Sequence, residues 1–361
     1  MGGLAESPSP VATIRDVARA AGVSIATVSR VFNNNALVNL ATAEKVLEAA
    51  KSLDYWPNSA AQSLSTRHNH VLGVMLPDLF GDFYSEVIRG IDRQARLNKY
   101  QTLLSSSHAS SHDVLQAGRA MLGRIDGLIM MAPDENTIDI VERIRRRVPV
   151  VLLNPRGEVP RCHRVAVQNY EGARAATEHL LSLGHRRIAL IAGPEGNVDA
   201  EERHRGFRDS LADAGLDPEA ALVVPGDFSE MAGYEAALRI LGHQPRPSAV
   251  FACNDAMAVG LLSAVGRAGK RVPEDLAVVG FDNIDIAEYL NPALTTVHVD
   301  ACNLGRHAVD LMLSTIEAEG PVPPVLERMP AVLTIRRSCG AHLSQEETNS
   351  SGDENAARFR Q

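Results

Sequence analysis

The residues best suited to a chemical task lie near the N-terminus, in Ser24-Ile25-Ala26-Thr27-Val28-Ser29-Arg30-Val31-Phe32-Asn33. Ile25 can touch a thymine methyl, and Ala26 is small enough to let a helix sit deep in a groove. Arg30 can place two donors on guanine O6 and N7, or meet a phosphate oxygen alone. Thr13, Ser24, Thr27, Ser29 and Asn33 bring hydroxyl and amide groups of the kind that meet phosphates. These types describe recognition of duplex DNA rather than bond-breaking.

Such side chains act together only if elements hold them on one surface. Thr13 can open a first helix, with Asp16 at its N3 position in a capping-box-like arrangement. Val17, Ala18 and Ala21 fall on one face of that helix. Gly22 breaks it and can take the positive φ that a sharp turn needs. Ser24 caps a second helix whose buried face is Val28, Val31 and Phe32. Ile25, Ala26, Thr27, Ser29 and Arg30 are then left outward at its front, as in a helix-turn-helix that offers its second helix to the major groove. Asn39 caps a third helix, with Val46, Leu47, Ala50 and Leu53 as its expected apolar face. The bland alternative is a helical hairpin packed inside some larger domain.

The stretch that follows separates the two: Tyr55-Trp56-Pro57-Asn58-Ser59-Ala60-Ala61-Gln62-Ser63-Leu64. With Asp16-Val17-Ala18, Ala21-Gly22-Val23-Ser24 and Thr27-Val28-Ser29-Arg30-Val31, it makes residues 13–64 closely resemble the headpiece and hinge of the LacI/GalR family of bacterial transcription regulators. The resemblance implies that Ile25 and Ala26 read bases and that Tyr55 and Asn58 join the DNA-binding set. It implies that Leu64 wedges into the minor groove, partly unstacking one base step and bending the duplex. Ala61 permits close approach there. Gln62 stands where many relatives carry arginine. Asn58 can cap one short hinge helix, Ser59 to Leu64, which is too short to hold in water by itself.

The net charge of −8 argues against indiscriminate nucleic-acid binding. Residues 1–70 hold six Arg/Lys against five Asp/Glu, so one headpiece should bind modestly and two copies should share a site. No apolar run reaches the ~18 residues of a membrane span. Met1 to Pro10 lacks the basic and apolar regions of a secretory signal. Cys162, Cys253, Cys302 and Cys339 are scattered without metal-ligand spacing, and reduced thiols are expected. His68 and His70 have no further ligand beside them in sequence, so no metal is assigned.

From Val71 onward apolar strands alternate with helices. Val71 to Leu76, Gln101 to Leu104, Gly127 to Met131 and Val148 to Leu153 form one round. Arg187 to Ala192, Leu222 to Val224, Ala249 to Ala252 and Leu276 to Phe281 form a second. Thr295 to Val299, a helix over 302–318 and Val332 to Ile335 return across a hinge. Buried strands between helices mean parallel sheets covered on both faces. The expected fold is a small all-α headpiece plus an α/β core of two doubly wound parallel-sheet subdomains, similar to periplasmic binding proteins. The expected boundaries are a disordered tail over 1–10, the headpiece over 11–56, hinge helix and linker over 57–70, the core over 71–339 and a disordered tail over 340–361. Within the core, the first subdomain takes about 71–167 and 298–328, and the second about 168–296 and 330–339.

Matching to the family's motifs places a small-molecule effector between the subdomains. Phe83, in the loop leaving the first strand, resembles the ligand-facing aromatic, with Tyr84 assigned to the core instead. Arg203, Phe228, Asn254 and Asp282 match ligand contacts, and Asn154 replaces a common aspartate. An aromatic face with carboxylate, amide and guanidinium groups suits a sugar, and a purine could use the same rings. Bland roles compete: Asp255 as a helix cap, and Arg203 paired with Glu201 or Glu202 at the surface. No phosphate-cradling loop or catalytic constellation occurs, so no cofactor and no enzymatic activity are expected. The sequence thus points to a cytoplasmic repressor binding a palindromic operator as a homodimer under control of a small-molecule effector, expected to be a sugar or sugar derivative. The alternatives are a purine-type corepressor, catabolite control with a phosphocarrier protein, or a solute-binding receptor that would leave residues 13–64 unexplained.

Overall fold

The computed structural model describes residues 12–32, 38–56, 68–79, 81–107, 111–131, 137–157 and 159–341. The chain divides into two units, Met1–His70 and Val71–Gln361. Asn33, Asn58, Ala61, Gln62 and Leu64, together with the expected hinge helix and tail residues 1–10, lie outside the described residues, as does the second tail from residue 342.

The first unit contains α1 (Ile14–Ala21), α2 (Ile25–Phe32) and α3 (Leu40–Ser52). Gly22 ends α1 at φ 66°, which turns the chain sharply into α2. Ser24 caps α2, its Oγ accepting the Thr27 N–H at 3.1 Å, and Asn39 caps α3 by accepting the Thr42 N–H at 2.8 Å. Val17, Ala18, Val28, Val31, Val46 and Ala50 form the core, with Phe32 and Tyr55 packed against it. Leu47 and Leu53 depart from expectation: they are 52% and 37% exposed. Val46 and Ala50 are the buried positions of α3; Leu47 stands about a quarter-turn from Val46 at the rim, and Leu53 is the C-cap, past the last helical residue.

In the second unit, β1 (Val71–Leu76), α4 (Asp82–Leu97), β2 (Gln101–Ser106), α5 (Ser111–Met121), β3 (Gly127–Met131), α6 (Ile138–Arg145), β4 (Val150–Leu153) and β5 (His163–Val167) build one subdomain. The chain then continues through α7 (Asn169–Ser182), β6 (Ile188–Ile191), α8 (Val198–Asp213), β7 (Val223–Val224), α9 (Glu230–Gly242), β8 (Ala249–Ala252), α10 (Asp255–Arg267), β9 (Ala277–Asp282) and β10 (Thr295–Val299). It finishes with α11 (Ala301–Ile316), β11 (Leu326–Met329) and β12 (Ala331–Thr334). The first sheet runs β11-β5-β4-β3-β1-β2 and the second β12-β10-β9-β8-β6-β7. Every described pairing is parallel except β10 with β12.

The continuous apolar strands reflect cover on both faces. In β1, Leu72, Val74 and Leu76 pack in one buried cluster, and Met75 packs in another. Between the sheets the chain crosses at Gln168, Asp300 and Pro330, between β5 and α7, β10 and α11, and β11 and β12. Two expectations need correction. His298 and Val299, placed with the first subdomain from sequence, close β10 in the second sheet, where His298 stands in register with Asp282 and Val332. Strand β11 was not anticipated. It pairs with β5 at an edge, and its central Glu327 and Arg328 hide the apolar signal a buried strand would give.

Candidate functional site

On the first unit, α2 presents Ile25, Ala26 and Arg30 to solvent, with Ile25 45% exposed despite being a large aliphatic. Thr27 and Ser29 are half-buried beside them. Ser24 Oγ lies 2.9 Å from Thr27 Oγ1, so cap and neighbour share one hydroxyl pair. Thr13 is exposed, but its hydroxyl donates to Asp16 Oδ2 at 2.6 Å and its N–H donates to the same oxygen at 3.0 Å. Those bonds hold the Asp16 carboxyl below its usual range, helped by Arg19. Tyr55 is half-buried with its ring 5.7 Å from that of Phe32, and burial raises its phenol pKa. Tyr55 therefore braces α2 from behind.

The second unit holds a cavity of about 740 Å³ between its subdomains. Its walls are the loops and helix starts that follow the carboxyl ends of strands in both sheets, where open α/β sheets bind ligands. Phe83, Phe228, Asn254 and Asp282 line it. Tyr84 packs against the core as expected and lines the cavity as well, and burial together with the charges of Asp199, Asp282 and Asp78 pushes its phenol pKa up. Asn254 also has structural work: its side chain caps α10 by accepting the Met257 N–H at 3.0 Å and donates to the Phe228 carbonyl at 2.9 Å.

Arg203 and Asn154 do not line the cavity; they sit in the buried polar network behind it. Arg203 Nε donates to Asn169 Oδ1 at 2.8 Å, Nη1 donates to the Cys253 carbonyl, and Nη2 is 3.2 Å from Asp282 Oδ1. Its guanidinium carbon lies 3.8 Å from the centre of the Phe281 ring. Surface pairing with Glu201 or Glu202 does not occur; those carboxylates take Arg156 and Arg205. Asn154 Oδ1 accepts the Val167 N–H at 2.8 Å, and its amide donates to Asp199 at 3.1 Å. Asn169 donates to the other Asp199 oxygen at 2.8 Å. Asp199 and Asn169 are the residues sequence reasoning passed over.

Burial dominates the electrostatics. It raises the Asp282 pKa to about 6, with the Arg203 charge opposing and Asp199 reinforcing. Asp255 does not cap α10. It is fully buried, accepts from Thr296 Oγ1 at 2.6 Å and the Ile284 N–H at 3.0 Å, and has its pKa raised to about 8 by burial and by Asp282. Ser229 Oγ donates to the Asp227 carboxylate at 2.6 Å in the cavity lining, and it also caps α9 by accepting the Ala232 N–H at 3.1 Å. The cavity's aromatic walls and fixed acceptors can hold a small polar ligand.

Two family models match the chain: "Bacterial regulatory proteins, lacI family" over residues 13–58 and "Periplasmic binding protein-like domain" over residues 177–339. The chain is 34% identical over 335 residues to the HTH-type transcriptional repressor PurR of Photobacterium profundum, covering 91% of this chain and 98% of that one. It is 35% identical over 309 residues to the ribose operon repressor of Escherichia coli, covering 85% and 93%. Among solved structures it resembles the lac repressor dimer bound to operator and an anti-inducer, with a TM-score of 0.82, 32% identity, and coverage of 91% and 99%.

Proposed function

The chain belongs to the lacI family of bacterial regulatory proteins, and we propose that it sets two helix-turn-helix headpieces on a palindromic operator under control of a sugar held in the core cleft. It is a DNA-binding transcriptional repressor with an effector-binding core, rather than an enzyme. What carries the proposal is the presence in one chain of an outward α2 and a ligand-sized cleft between two subdomains. Ile25, Ala26 and Arg30 address bases. Thr13, Ser24, Thr27, Ser29 and Asn33 address phosphates, with Thr13 doing so after giving up its bond to Asp16 or through its lone pairs to water. Tyr55, Asn58, Ala61 and Gln62 complete the DNA-binding set, and Leu64 is the minor-groove wedge.

A dimer follows from the symmetry of a palindromic site, which mirrors a two-fold axis of the protein. Operation is cytoplasmic, where the DNA is. Phe83, Phe228, Asn254 and Asp282 face the effector, while Arg203 and Asn154 hold the wall that presents them. A sugar is favoured because ring faces cover C–H patches while carboxylate and amide take hydroxyls, and because one relative is a ribose operon repressor. The test is operator binding by the full chain with and without candidate sugars. Loss of binding by Ile25→Glu or Arg30→Ala is expected, as is a sugar-dependent shift in operator affinity. Specific binding unaffected by both substitutions would overturn the headpiece assignment.

A further inference from the structure

We infer that the cleft selects its effector by charge: it takes an uncharged sugar and rejects the phosphorylated or carboxylated form of the same sugar. This rests on the assignment of the cleft as the effector site. The described residues lining the cavity include six carboxylates, Asp78, Asp82, Glu195, Asp227, Glu230 and Asp282, and no lysine, arginine or histidine. Arginines that touch this wall are already engaged. Arg203 faces Asp282 from behind. Arg156, which donates to the Gly196 carbonyl at 3.2 Å, makes two bonds to Glu201 at 2.7 and 2.8 Å.

Helix N-termini aimed at a cleft are the fold's usual means of holding an anion without basic side chains. Here the chain's own carboxylates occupy those positions. Asp82 begins α4, Glu230 begins α9, and Asp199 stands in the first turn of α8. A phosphate would meet the positive ends of these helices only through negative charge. Asp282 marks where the ligand's hydroxyls bind. Its side chain is only 9% exposed, it lines the cavity, and its Oδ1 accepts no hydrogen bond although Arg203 is 3.2 Å away. A buried carboxylate that is ion-paired with Arg203 but still has unfilled acceptor positions calls for a hydroxyl or amine, and a phosphate dianion or a carboxylate supplies neither.

The experiment uses the full chain and matched pairs: ribose and ribose 5-phosphate, glucose and glucose 6-phosphate, and glucose and glucuronate. Calorimetric titration is paired with thermal shift. An uncharged member is expected to bind, and its anionic partner to bind at least about 100-fold more weakly, since several like charges at cleft distances in a partly screened site act together. Raising the salt should narrow that ratio. The isosteric triple variant Asp82→Asn/Glu195→Gln/Glu230→Gln separates charge from bulk, and the anionic partner should gain at least about tenfold on it. Equal or tighter binding of an anionic member overturns the inference while the effector cleft stands. Unchanged discrimination in the triple variant overturns it as well. If no sugar of any pair binds while the operator is still bound, the sugar assignment itself falls, and the inference with it.

Discussion

Replacing Gly193 with alanine should disable the cleft without touching the DNA-binding unit. Gly193 follows β6, and a Cβ built there would lie 2.5 Å from two carbons of the Phe228 ring and 2.8 Å from the Ala200 methyl. Carbon atoms pack best about 3.5–4.0 Å apart, so the ring must recede by at least about 1 Å. The Phe228 backbone cannot follow. It sits at φ 71°, its carbonyl accepts from Asn254 at 2.9 Å, and the next residue, Ser229, caps α9. Relief must come from swinging the ring toward the cavity it lines. Overpacking of this kind costs about 1–3 kcal/mol of stability. Effector affinity should fall at least tenfold, equivalent to about 1.4 kcal/mol. The assay titrates effector against the operator complex by fluorescence anisotropy, alongside urea unfolding of the free protein. Operator affinity without effector should stay within about twofold of wild type, well inside a 1.4 kcal/mol change. Gly193→Ala/Phe228→Ala should recover much of the lost stability, because the clash is gone and the pair is coupled. A wild-type titration together with a wild-type unfolding midpoint in Gly193→Ala would refute the claim that Phe228 is pinned against Gly193.

Arg203→Ala and Asp282→Asn should part company: the first leaves the buried Asp282 carboxylate without its cation and should cost about 3–5 kcal/mol in urea unfolding, whereas the second keeps an acceptor oxygen and leaves Arg203 its bonds to Asn169 and the Cys253 carbonyl, so it should cost less while losing effector response. Equal unfolding midpoints for the two would contradict this. The native pKa values of Asp282, about 6, and Asp255, about 8, both exceed the 3.8 of a free aspartate, so the folded state binds more protons and stability should fall as pH rises from about 4 to about 8. Asp255→Asn should flatten that slope in urea melts between pH 5 and 9, and parallel curves would count against it. Leu64→Ala should weaken operator binding by about 2–4 kcal/mol through loss of two wedges and abolish bending. Its salt dependence should hardly change, because no phosphate contact is removed. Normal bending in the variant would exclude Leu64 as the wedge.

The headpiece was legible because its signals are local. Gly22, Ser24 and Asn39 each act within three residues of themselves, and the structure has the turn and both caps where those residue types put them. Core strands were legible for the same reason, as short apolar runs between helices. Arg203 was harder. Its sequence neighbours Glu201 and Glu202 suggest a surface ion pair, but Asp199, Arg203, Gly206, Phe207 and Ser210 share the buried face of α8. That helical spacing was a signal, and it was available. Asp199 was less accessible, because its partners Asn169 and Asn154 stand 30 and 45 residues away. Strand β11 escaped because an edge strand with charged residues at its centre does not look apolar. The acidic lining escaped because its members come from separate loops, and each carboxylate near a helix start has an ordinary local explanation in the helix dipole.

Backbone strain gathers at the same place. Of the eight described non-glycine residues with positive φ, Asn154, Phe228 and Asp282 belong to the cleft wall or the network behind it, and Asn283 directly follows Asp282. Asparagine tolerates this region, but a bulky residue such as Phe228 pays for it, and such conformations persist only where surroundings over-determine them. The surroundings are visible: Asn254 holds Phe228, and His298 meets Asn283 at 3.1 Å. Asn154 differs in that its bonds join two subdomains. It follows β4 in the first sheet and donates to Asp199 on α8 in the second, while Arg156 two residues later reaches Glu201 on the same helix. A ligand that changes the angle between the subdomains must either keep these bonds or break them together. With the Asn154 bond alone broken, one oxygen of the buried Asp199 would lose its donor while Asn169 holds the other, which is costly. The network therefore favours two discrete arrangements over a continuum, as a switch that an effector is to bias requires.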